Sequence, residues 1–184
     1  MKKQKKELQF VFAEGKYIRA VGIDPGLVDT GVVALSVDLF SAQATVSYHG
    51  IEKAKRMEVD ELNRTLNELP LVKVGWPVFI EKYQPRRGFS TDVSMVELTK
   101  NIADAVPGPH MMVPNSGIKK IVTRDWMELF WASKLPRSNH DDLHSALRIL
   151  LLGLFKNETA NEQLAQLVYT HQRTLKVNVE RLVQ

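Results

Sequence analysis

The chain contains no cysteine, which removes disulfide bonds, thiolate nucleophiles and cysteine-based zinc sites together. Any metal it holds must be bound through oxygen or imidazole. It also lacks a run of the ~18 apolar residues that a membrane span requires. The longest candidate, Leu147 to Phe155, is broken by Arg148 and followed by Lys156, so no membrane association is expected. The opening Met1-Lys-Lys-Gln-Lys-Lys leads into Glu7-Leu-Gln-Phe rather than a long apolar stretch with a small-residue cleavage site. It does not read as a secretory signal, and with the missing cysteines it predicts a cytoplasmic, reducing setting. Repeats and low-complexity tracts are absent as well. What remains is 184 residues, 44% hydrophobic and 25% charged, the composition of one globular domain with an extension. A net charge of +4 permits a polyanionic partner without demanding one.

Turn residues divide the first fifty positions into three β-rich runs. Tyr17-Ile-Arg-Ala-Val-Gly-Ile-Asp-Pro-Gly is the first, Thr30-Gly-Val-Val-Ala-Leu-Ser-Val the second and Gln43-Ala-Thr-Val-Ser-Tyr-His-Gly-Ile the third, which predicts an antiparallel meander. Leu62, Leu66 and Leu69 at i, i+4, i+7, with Pro70 just beyond, predict a helix. Pro77-Val-Phe-Ile-Glu reads as a strand buried on both faces. Met95, Leu98 and Ile102 mark a helix, His110-Met-Met-Val-Pro a strand, and Trp126, Leu129 and Phe130 another helix. From Asp141 onward, Leu143, Ala146, Leu147, Leu150 and Leu154 form an apolar helical stripe. The expected organisation is a basic arm over 1–16, an α/β domain over 17–156 and a helical extension over 157–184. The domain should hold one mixed five-stranded sheet, three antiparallel strands and then parallel ones, flanked by helices.

Three acidic positions stand out. Asp24 ends a hydrophobic strand in Ile23-Asp24-Pro25-Gly26, where an aspartate also serves as an ordinary turn residue. Glu81 ends the apolar run Val78-Phe-Ile-Glu; a carboxylate there needs a cation, either Lys82, Arg86 or Arg87 or a metal ion shared with Asp24. Asp141 and Asp142 open the last apolar helix, where acids also act as caps or favour the helix dipole. At ~100° per residue the stripe leaves Asp142 at its border and Asp141 nearly opposite, so Asp142 is the better placed to face the sheet. Acids from separate elements, with no cysteine, suit a hard cation such as Mg²⁺ or Mn²⁺. Two such ions per site would support in-line phosphodiester cleavage. Basic residues crowd the same segments: Lys82, Arg86, Arg87, Lys119, Lys120, Arg124, Lys134 and Arg137. They are candidate phosphate contacts or a solvated basic face. Phe89 and Tyr83 could stack on an unpaired base or serve the core. His140 and His144 are weaker candidates, and Lys2, Lys3, Lys5 and Lys6 read as a nonspecific DNA-binding arm.

Ile23-Asp24-Pro25-Gly26 with Thr30-Gly31, Ile80-Glu81, Pro114-Asn-Ser-Gly-Ile118-Lys119-Lys120-Ile-Val-Thr123 and the acidic opening of the last core helix together resemble the RuvC family of Holliday-junction resolvases. The resemblance spans Tyr17 to Leu154. Glu81-Lys-Tyr-Gln-Pro-Arg-Arg and Asp141-Asp142-Leu143 look like the mitochondrial and poxviral branch. The resemblance implies an RNase H-like fold, a homodimer, and Mg²⁺-dependent symmetric nicking of four-way DNA junctions. Asp24, Glu81 and the Asp141/Asp142 pair would then be the catalytic and metal-binding acids. Lys119 would be a catalytic contact to the phosphate, and Lys82, Arg86, Arg87, Phe89, Lys120 and Arg124 would join it in binding DNA. The helix Asp92 to Val106 becomes the candidate dimer interface, its Met95, Leu98 and Ile102 stripe serving either that contact or the core. One departure is present: Ser145 stands where the family's second helix acid falls if Asp142 is the first, or Ser138 if Asp141 is the ligand.

Two other readings use the same residues. A nucleotide-binding protein of the actin and sugar-kinase superfamily also places an Asp at a strand end before a Gly- and Thr-bearing hairpin, but normally needs two such domains. A catalytically inactive domain that binds branched DNA is compatible with Ser145.

Overall fold

The computed structural model describes residues 16–52, 57, 59–69, 75–84, 92–106, 108–136 and 141–182. Strands β1 (Tyr17–Asp24), β2 (Asp29–Asp38) and β3 (Gln43–Glu52) form the antiparallel meander, in register from Tyr17 opposite Asp38 to Asp24 opposite Gly31. Helix α1 (Val59–Glu68) crosses to β4 (Val78–Lys82), which lies parallel to β1. Helix α2 (Val93–Ala105) then leads to β5 (His110–Pro114), parallel to β4. The short helices α3 (Ile118–Ile121) and α4 (Arg124–Leu129) and a 3₁₀ turn (Ala132–Lys134) precede the long helix α5 (Asp142–Lys156) and then α6 (Glu158–His171).

The sheet has six strands in the order β5-β4-β1-β2-β3-β6, one more than expected. The additional strand, β6 (Lys176–Arg181), pairs in parallel with the outer edge of β3. The stretch expected to be a helical extension is therefore one helix and one edge strand. Only Val177 and Val179 face the core from β6, too few for the two-residue period to show through a polar segment.

Strand alternation divides the core into two layers. Ile18 and Ala20 of β1, Val33 and Leu35 of β2 and Phe79 of β4 pack with α5 and α6. Val21, Ile23, Val32 and Ile80 point the other way, onto Leu62 and Leu66 of α1 and Leu98 and Ile102 of α2. The stripe on α2 that was a candidate dimer interface is thus built into the core, and the exposed face of that helix carries Val93 and Val96.

Helix α5 is buried on every side, with Ile149, Leu151 and Leu152 enclosed as well as the expected stripe, because α6 covers it with Ala160, Leu164 and Leu167. It sits against the sheet at three glycines. A Cβ on Gly22 would strike the Ala146 carbonyl and Leu150, one on Gly31 the backbone of Asp142, and one on Gly153 the Phe79 ring. Alanine at any of them would force repacking at ~1–3 kcal/mol. This close seat fixes where the first turn of α5 lies over β1 and β2.

Candidate functional site

β1, β4 and β5 run parallel and finish at one end of the sheet, where β2 begins and β3 and β6 also finish. Asp24 ends β1 on the face that carries Ile18, Ala20 and Gly22, toward α5. Glu81 follows Phe79 onto that same face of the neighbouring strand, with Ile23 and Ile80 in register just before. Asp142 is the first residue of α5 and is only 6% exposed, one of the few buried polar side chains described. The seat of α5 on Gly31 delivers it there.

These acids act on one another. The Asp24 carboxyl is pushed up to about 9 from 3.8, first by burial, then by its hydrogen bond with Glu81 and the negative charges of Glu81 and Asp142. A hydrogen bond from Ser145, one turn into α5, works in the opposite direction. Burial and crowding by the two other acids therefore favour the protonated form of Asp24. On the far side of Glu81, Asn115 Nδ2 donates to Oε1 at 2.6 Å and fixes the carboxylate. The turn between β1 and β2 is closed by Thr30, fully buried, whose Oγ1 lies 3.4 Å from the Gly26 backbone.

Asp141 goes elsewhere. It caps α5 in the left-handed region (φ 53°, ψ 28°), its side chain is 69% exposed, and its nearest ionic partner is His144 Nδ1 at 3.9 Å. Asp141 thus stands apart from the acid cluster, beside the half-buried His144. Lys82 is exposed just after Glu81. Lys119 and Lys120 are exposed on α3, which is anchored by buried Ile118 and entered through Gly117 at φ 73°. Arg124 is exposed at the start of α4. Tyr83 is partly buried, and its hydroxyl accepts from the Asp92 amide at 3.3 Å. Arg86, Arg87, Phe89, Arg137, Ser138, His140 and the arm over 1–15 lie outside the described residues. Asn115 and Thr30 stand in the sequence only as members of the Pro114–Thr123 and Thr30-Gly31 motifs. Nothing in residue type distinguishes Asn115 until β5 brings it beside β4.

The donor set fits a hard divalent cation: three carboxylates on β1, β4 and α5, all oxygen, crowded enough that one must retain a proton. No three acidic or imidazole side chains among the described residues stand ready within one ion's coordination shell. No helix among the described residues is long and apolar enough to cross a membrane.

A mixed sheet of this order, antiparallel and then parallel and flanked by helices, has the RNase H-like fold. Within that class the architecture is RuvC-like. The structure of T. thermophilus RuvC in complex with Holliday junction substrate superposes with a TM-score of 0.56 at 13% identity, covering 81% of this chain and 95% of that one. A second Thermus thermophilus RuvC structure gives 0.55 at 15% identity, covering 81% and 96%. The fowlpox virus Holliday junction resolvase aligns at 0.43 and 12% identity, over 76% of this chain and 98% of that one. No protein-family model and no curated protein sequence matches the chain.

Proposed function

We propose that this chain is a divalent-metal-dependent endonuclease that resolves four-way DNA junctions by symmetric phosphodiester hydrolysis. The observation that carries the reading is the convergence of Asp24, Glu81 and Asp142 at one end of a RuvC-like sheet, with Asp24 held far above the ordinary carboxylate range. Asp24, Glu81 and Asp142 would hold the metal, Mg²⁺ or Mn²⁺ and up to two ions, which when bound supplies an activated water and positive charge at the scissile phosphate. The chain's own groups position that chemistry. Asn115 fixes the Glu81 carboxylate, Ser145 supports Asp24, and Lys119, Lys120, Lys82 and Arg124 hold phosphates around the cleft. Symmetric cutting needs two sites related by a two-fold axis, so the active species is a homodimer.

The test is incubation of purified protein with a mobile four-way junction and a matched linear duplex, with and without Mg²⁺. Paired nicks on opposing strands near the crossover, with the duplex intact, are expected. Equal cutting of both substrates would leave a general nuclease. Tight junction binding without cutting in either Mg²⁺ or Mn²⁺ would favour a second reading, a domain that only binds branched DNA. Ser145, in the place of a fourth acid, is the observation on that side.

A further inference from the structure

The site continues sideways as a cleft. From Asp142 and Leu143 it runs across Gly31 of β2 and Tyr48 and Gly50 of β3 to Arg181 at the end of β6, enclosing about 280 Å³. No described residue accounts for Gly50. Glycine weakens a strand, and in an interior it commonly marks the close approach of another backbone or a ligand. At Gly31, directly opposite, that backbone is α5. A Cβ on Gly50 would meet no atom of a described residue within 4 Å, and the residue is exposed. The bare strip it leaves points to something from outside the chain.

The charge along this cleft is polarised. Asp29 and Asp142 line one end, and Arg181 is the one cationic residue among the described residues that line it. Arg181 is fixed in place by its strand. The Leu182 amide donates to the Tyr48 carbonyl at 2.8 Å, and Ser47 Oγ donates to Glu180 Oε1 at 3.0 Å on the opposite face. The alternation that turns Val177 and Val179 into the α5 layer therefore turns Arg181 the same way, beyond the last residue the helices cover. No ion pair with a described residue engages it. Three strand spacings separate β1 from β6, ~14 Å, a separation that places Arg181 beyond any group acting on the reacting phosphate itself.

We infer that the Gly50 strip carries the sugar–phosphate backbone of the strand being cut, and that Arg181 binds one of its phosphates away from the scissile bond. This rests on the nuclease reading of Asp24, Glu81 and Asp142, and it gives β6 a role beyond closing the sheet edge. Arg181 is a substrate-positioning residue; it takes no part in the chemistry.

The experiment compares wild type with Arg181→Ala, Gly50→Leu and Lys176→Ala. Lys176 is an exposed cation at the opposite end of β6, ~17 Å away, so its variant loses the same charge without touching the cleft. Binding of a labelled four-way junction is measured by anisotropy in Ca²⁺ across a salt titration, cleavage in Mg²⁺, and folding by thermal melting. Arg181→Ala should weaken binding and flatten the slope of log K against log salt by ~0.9, the loss of one phosphate contact. Lys176→Ala should leave both unchanged. Gly50→Leu should melt normally and weaken binding at an unaltered slope, because it blocks the strip without removing charge. If Gly50→Leu melts poorly, Gly50→Ala replaces it with the same expectation on a smaller scale.

Wild-type cleavage with unaltered binding and slope in Arg181→Ala would overturn the inference and leave the nuclease reading intact. Flattened binding by Arg181→Ala in a wild type that binds and never cuts would support the strand path and sink the nuclease reading. A wild type that binds no DNA overturns both.

Discussion

The two ends of β1 lie beside two aspartates that the fold treats in opposite ways. At its start, Asp38 faces Tyr17 across the β1–β2 ladder and accepts from the Phe40 and Ser41 amides at 2.9 and 3.2 Å, closing the β2–β3 turn. Those backbone donors hold its carboxyl below the usual range. At the other end, Asp24 is pushed up to about 9, because burial and two further carboxylates outweigh the Ser145 hydroxyl. The same side chain is satisfied where it shapes a turn and left short where three elements meet. Such crowding lowers the stability of the bare protein, and clusters of perturbed acids of this kind are commonly found at functional sites.

The sharpest break in this contrast is to remove one acid at a time from the crowded end. Asp24→Asn and Asp142→Asn should each lower single-turnover junction cleavage by ~10³-fold, the order expected when several kcal/mol of metal-derived stabilisation are lost, while junction binding in Ca²⁺ persists. Asp141→Asn should cut at close to the wild-type rate, since its side chain faces solvent beside His144. An inactive Asp141→Asn with an active Asp142→Asn would show that the first turn of α5 rearranges when metal and DNA bind. A smaller effect is expected one step outward. Asn115→Ala frees the Glu81 carboxylate and should reduce activity by ~10–100-fold, with partial recovery as Mg²⁺ is raised. Loss of activity that no metal concentration restores would mean that Asn115 contacts substrate instead.

Most of the crowded end was readable in residues because it rests on strand ends. Asp24 and Glu81 each terminate an apolar run, and the parallel pairing of β1 with β4 follows from an intervening helix. That Asp142 rather than Asp141 is turned inward was readable from the angular position of the stripe on α5. What residues could not supply were relations made only by packing. Asn115 reaches Glu81 because β5 pairs with β4, and α5 proves apolar all round because α6, far from an independent surface helix, covers its outer side. Strand β6 was hidden by its position at an edge. Half of its side chains face water, and two valines are too few to establish a period in a polar segment.

The comparison of the two aspartates is sharpened most finely by pH. In EDTA, Asp24 binds a proton in the folded state up to about 9 but in the unfolded state only up to 3.8, so between those values the folded protein holds the extra proton and stability falls as pH rises. Asp38 has the opposite sign: its folded value lies below 3.8, so its contribution is present above that value and is lost as pH drops through the lower one. Asp24→Asn should therefore melt above wild type by a margin that widens from pH 5 to pH 8.5 and narrows when Mg²⁺ stabilises the wild type. Asp38→Asn should melt slightly below wild type at pH 7, the smallest effect considered, because the group is fully exposed, and that deficit should close below pH 4. Circular-dichroism melts of the three proteins across this range check both signs at once. A wild-type melting temperature that tracks Asp24→Asn at every pH would mean that the carboxylates relax apart without metal and that the crowding at the end of β1 is not held by the fold.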